Sequence, residues 1–125
     1  MQGLTALHDF KIIGLRSAQG CFDVMVVLDD VEKQLGFVEP LVYRVVDYGD
    51  QNVISRFFKV EKEDASLIYS WVEWIFSDSQ GGILASEEGK ARARKEICAG
   101  QRCLYVIEPS WGAEIAVIAS AAFVS

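Results

Sequence analysis

One histidine, two prolines, three cysteines and no long uncharged stretch are what this 125-residue chain has least of, and each shortage removes a class of function. Any mechanism that needs an imidazole base must draw it from His8, beside Asp9, and no spacing sets a nucleophile against it. Cys21, Cys98 and Cys103 contain no C-x-x-C and lack zinc spacing, so they read as thiols rather than as a disulfide framework or a metal site. Asp29-Asp30 is not followed by the alternating oxygen ligands of a calcium loop. Neither a metal nor a cofactor is expected. The longest uncharged run, Ile115 to Ser125, has eleven residues, too few to cross a bilayer as a helix. Asp9 and Lys11 interrupt the apolar residues of the first fifteen positions, so nothing there resembles a signal peptide. The expected location is cytoplasmic, with no membrane contact.

Basic residues are also in short supply. Twelve Lys and Arg against eighteen Asp and Glu give a net charge of −6, which repels phosphate backbones, and no nucleic-acid partner is expected. The one basic cluster, Lys90, Arg92, Arg94 and Lys95 with Arg102 beyond it, is spread around a short helix and diluted by Glu88 and Glu96, the pattern of a solvated face. Gly81-Gly82 followed by Ser86 and Lys90 has the wrong spacing for a phosphate-binding loop, and Glu87 and Glu88 stand where the phosphate would sit.

What the chain has in quantity is apolar surface. Residues of hydrophobic type make up 51%, including three Trp, four Tyr and seven Phe, enough for a core without cross-links and consistent with a single domain over residues 1–125. Strands are expected at Phe10 to Arg16 and Cys21 to Asp29, where Phe22, Val24, Val26 and Leu28 share one parity. Asp29 to Pro40 reads as a loop with one helical turn around Val31 to Leu35. Strands at Leu41 to Tyr48 and Gln51 to Val60 flank Gly49-Asp50, suited to a two-residue type II′ hairpin that sets Val45 opposite Ile54 and Tyr43 opposite Arg56 on the core face. A helix over Lys62 to Ser77 and a second from Glu87 to Ala99, capped by Ser86, follow a break at Gln80-Gly81-Gly82. The last strands are Arg102 to Glu108 and Ala113 to Val124, joined through Trp111. Both parities of the final strand are apolar, so it belongs at the sheet centre with both faces buried.

The expected architecture is therefore α+β: a mainly antiparallel sheet of about six strands, in the order β-β-β-β-α-α-β-β, with the helices packed on one face. The long helix is more apolar than one sheet can cover. Leu67, Ile68, Trp71 and Ile75 are expected against the sheet, while Trp74 on one flank and Tyr69 with Phe76 on the other meet a second surface.

Two functions follow from these residues. Surplus apolar surface, acidic charge and the absence of a catalytic set point to a non-enzymatic protein-interaction domain that self-associates, most simply as a homodimer, and that can engage another protein. The alternative is a small-molecule binding protein, or an enzyme, whose pocket between helices and sheet holds an anionic or aromatic ligand on Arg56, Tyr43 and Trp111.

Overall fold

The computed structural model describes residues 7–77 and 86–125. The expected break at Gln80-Gly81-Gly82 lies outside the described residues. Ten elements are formed: β1 (Lys11–Ala18), β2 (Cys21–Leu28), β3 (Val31–Val38), β4 (Val42–Val46), β5 (Val53–Lys59), α1 (Ala65–Phe76), α2 (Glu87–Cys98), β6 (Cys103–Trp111), β7 (Glu114–Ala119) and β8 (Ala121–Val124). The fold is α+β with an antiparallel sheet, but the described residues form eight strands rather than about six, in the order β-β-β-β-β-α-α-β-β-β.

Strand neighbours run β4-β7-β6-β5-β1-β2-β3-β8, every pair antiparallel. β7 and β8 are separated in the chain by Ser120 alone, so the strand that pairs with β6 continues into the strand that pairs with β3. The sheet thereby closes on itself as a barrel. β3 and β4 behave likewise as one ribbon, kinked at Glu39-Pro40, where Glu39 takes a φ of 50°. β1, β2 and β3 form a meander and β5 returns to lie beside β1, a Greek-key arrangement. The β1–β5 seam is short and is reinforced by the amides of Asp9 and Ile12, which donate to the carbonyls of Ile54 and Asn52 at 2.9 and 2.7 Å.

Side chains fill the barrel. Phe22, Val24, Val26, Leu35, Phe37, Ile54, Phe57, Tyr105, Ile107, Ile115 and Val117 point inward and are buried. Phe37 lies 5.9 Å from both Phe22 and Phe57 and 5.6 Å from Tyr105, centroid to centroid. A second core lies outside the barrel, where α1 and α2 cover Leu104, Val106, Ala116 and Ile118 on the outer face of β6 and β7. Leu104 to Ile107 of β6 and Ile115 to Ala119 of β7 are buried on both faces, which is the state implied by a segment apolar at both parities.

α1 starts at Asp64, whose carboxylate accepts from the Leu67 amide at 3.1 Å. Its buried stripe is Ile68, Val72, Ile75 and Phe76, at the helical spacing i, i+4, i+7, i+8. Each such burial removes apolar area worth roughly 1.5–3 kcal/mol from water. Compared with expectation the helix is rotated. Leu67 is 38% exposed and Trp71 only partly covered, because Val72 and Phe76 take the centre of the contact. α2 then supplies Ala93 and Ile97 to the same core, opposite α1.

Three expectations about the strands need correction. Residues 31–38 form a strand and not a loop with a helical turn. Asp29 and Asp30 have φ of 50° and 66°, the two left-handed residues of a type I′ hairpin, with Leu28 opposite Val31. Glu32, Lys33 and Gln34 hide that strand, since it packs on one face only toward its far end. The hairpin through Gly49-Asp50 does not form either. β4 pairs with β7, and β5 with β6 and β1, so residues 47–52 cross the end of the barrel between two non-neighbouring strands. Gly49 has no positive φ, as a type II′ turn would need. Instead the buried Asn52 amide holds the crossing, accepting from Gly49 N at 3.0 Å and Ala113 N at 3.1 Å and donating to Gly49 O at 2.9 Å. Finally, an irregularity in β5 between Ile54 and Arg56 reverses the alternation, so that Phe57 enters the barrel while Arg56 and Phe58 point outward.

Candidate interaction surface

The structure does not bring Arg56, Tyr43 and Trp111 together. Tyr43 sits on β4 at the barrel end, stacked on Phe22 at 4.0 Å with the rings 6° from parallel. Arg56 is on the outside of β5, ion-paired across the strands with Glu108 and lying 4.3 Å over the Phe58 ring. Glu108 raises the pKa of that guanidinium. Trp111 closes β6 and is 68% exposed. No hydrogen bond, ion pair or ring contact among the described residues joins any two of the three.

The surplus aromatics of α1 are for the most part covered within the chain. Phe76 is buried. Trp74 packs edge-on against Trp71 at 5.4 Å and is capped by Arg44, whose guanidinium lies 4.6 Å from the ring centre and donates to Trp74 O and Ser77 Oγ, both at 2.7 Å. Tyr69 stays 54% exposed, with Arg94 above its ring at 5.0 Å. Lys90 of α2 is similarly engaged, binding Glu73 at 3.1 Å and Glu87 at 3.0 Å, and Arg102, beyond the helix, binds Glu96 at 3.0 Å. His8 is exposed, with Nδ1 at 3.1 Å from the Asp9 carboxylate.

Among the described residues, no element covers the outer wall of β1, β2, β3 and β8. The pairing arranges it in cross-strand rows: Lys11, Val27, Glu32; then Gly14, Met25, Gln34; then Arg16, Asp23, Gly36, Phe123; then Ala18, Cys21, Val38, Ala121. Ile13 bulges outward beside Gly14 and is 52% exposed, and Phe123 is 43% exposed. Ile13, Met25, Glu32 and Gln34 line a cleft of about 260 Å³ on this wall. The tip of the Phe123 ring sits over Gly36, in the space that any Cβ there would take, so only glycine permits this close approach.

At the centre of the wall is Asp23, the one buried charged residue among those described. Its Oδ2 accepts from Arg16 Nη2 at 2.8 Å and Nε at 3.2 Å, and Oδ1 accepts from the Cys21 thiol at 3.1 Å. Burial by itself would raise its pKa, but hydrogen bonds from Arg16, Cys21 and Gln34, with the charge of Arg16, hold it below the usual carboxylate value. The bond to Asp23, with burial adding to it, pushes the Cys21 thiol up, away from the reactive thiolate. Such a network suits a static scaffold rather than a nucleophile. Tyr105 is raised too, chiefly by burial.

Residue patterns alone missed this wall. Its signals were an Asp in the middle of an apolar strand, an Arg placed to meet it across a hairpin, and Ile13, Met25 and Val27 at parities opposite to the core set. No helix among the described residues is long and apolar enough to cross a membrane, and none of their His, Cys, Asp and Glu side chains group in threes to hold a metal. No family model, curated protein or solved structure matches the chain.

Proposed function

We propose that this chain is a non-enzymatic protein-interaction domain that self-associates, and that it does so through the outer wall of β1, β2, β3 and β8. One observation carries the reading: the helices cover one side of the barrel, while the opposite side leaves Ile13, Met25, Val27 and Phe123 around a neutralised Arg16–Asp23 pair. Apolar residues gathered on one wall and rimmed by charge are the usual anatomy of a contact surface. The filled interior supports the same reading, since the aromatic side chains occupy the space that a barrel ligand would need.

Sedimentation velocity over a range from micromolar to millimolar tests it. A weight-average mass that climbs from monomer toward dimer is the expected result, and Ile13→Asp, a change at an exposed position, should return the protein to monomer. A monomer at every concentration would overturn the proposal.

A further inference from the structure

The rows of the wall carry charge in a pattern that fits its own copy. Lys11 and Glu32 occupy the same row on either side of Val27. Two strand spacings place them about 10 Å apart, too far to pair with each other. Both are exposed, and neither makes an ion pair with any described residue. Two rows along, Arg16 stands on β1, while at the same level on β3 the Phe123 ring lies over Gly36.

Resting on the function proposed above, we infer that the partner of this wall is a second copy of the chain, docked face to face about a two-fold axis that runs parallel to the strands along β2. Rotation about such an axis keeps each row at its own height and exchanges left for right. β1 of one copy then lies over β3 of the other. Lys11 meets Glu32 of the second copy, and by symmetry the reverse pair forms as well. Arg16 meets the face of the second copy's Phe123 ring, a cation–π contact made while its other edge stays on Asp23. Met25 and Val27 fall on the axis and pack against themselves, and Asp23, on the same line of β2, faces its own copy with each carboxylate neutralised by Arg16 of its own chain. A two-fold axis across the strands instead sets the Lys11 row against the row of Ala18, Cys21, Val38 and Ala121, which holds no charge to answer it. Charge complementarity therefore selects the first arrangement.

The wall is about 14 Å wide and about 24 Å long from strand geometry, on the order of 350 Å² per copy, well under the roughly 800 Å² of a standard stable interface. The dimer is accordingly weak, with a dissociation constant in the micromolar range or above.

Charge reversal at two exposed positions tests the register. Lys11→Glu and Glu32→Lys each place like charges twice across the interface, and each should weaken the dimer by roughly tenfold in sedimentation equilibrium. The double variant Lys11→Glu/Glu32→Lys restores both pairs and should return the affinity to within about threefold of the starting protein. A double variant no tighter than the single ones overturns the arrangement, as do single variants without effect. Ile13→Asp separates the two levels of inference. If it dissolves a dimer that the charge variants leave untouched, the wall is the interface and the axis is wrong. If it leaves that dimer intact, the wall itself is wrong.

Discussion

Asp23 is a carboxylate buried on the outside of a barrel, where side chains ordinarily reach water. Its stability contribution depends on remaining ionised, because Arg16, Cys21 and Gln34 all donate to it. With the folded pKa depressed, that contribution is complete above the unfolded value near 4 and is lost as pH falls through the lower folded value. Asp23→Asn should therefore cost about 1–3 kcal/mol at neutral pH, measured by urea unfolding. The difference from the parent should shrink once the pH drops below about 4; a gap unchanged at acid pH would mean that the charge is not what matters. Phe123 makes the complementary case. Gly36→Ala drives a methyl into the ring and should destabilise by about 1–3 kcal/mol, whereas Gly36→Ala combined with Phe123→Ala removes the clash and should recover part of that loss.

At the level of the elements, the helices and the outward alternation of most strands could be read from the sequence because they depend on neighbours a few residues apart. Phe22, Val24 and Val26 face inward as their parity implies, and the twofold apolar character of residues 113–119 matches a strand with a core on each side, whereas β8 beyond Ser120 is partly exposed although the same pattern predicts burial on both faces. What could not be read depends on partners far away or on a single inserted residue. Arg56 changes faces because of one irregularity in β5, and β4 finds β7 across the chain rather than the strand that follows it. Asp29-Asp30 conceals a hairpin because both residues adopt left-handed backbone, which glycine or asparagine would have advertised. The candidate surface was illegible for the same reason: its rows align residues of β1, β2, β3 and β8 that only pairing brings level. Asp30→Gly, which relieves a φ of 66°, should raise stability by about 0.5 kcal/mol. Along α1, Ile68→Ala should cost about 2–5 kcal/mol and Leu67→Ala under about 1 kcal/mol. Equal costs at the two positions would contradict the rotation of the helix reported above.

At the scale of the molecule, the described residues form a filled barrel with a helical layer on one side and an open wall on the other. That asymmetry concentrates any association on a single face. On the side away from the wall, Lys90 pairs with Glu73 and Glu87, and Arg94 with Glu73, within the helical layer.

β6 and β7 serve two cores at once, with Tyr105, Ile107, Ile115 and Val117 facing the barrel and Leu104, Val106, Ala116 and Ile118 facing the helices. A partition held in common cannot lose one tenant and keep the other. Lifting the helices would bare an apolar sheet to water, so the two cores should melt in a single calorimetric transition, and the amides of β6 and β7 should exchange with deuterated solvent only through global unfolding. The slowest-exchanging hydrogens would then trace the two strands that contribute nothing to the proposed contact surface, leaving the surface itself on strands that open more readily.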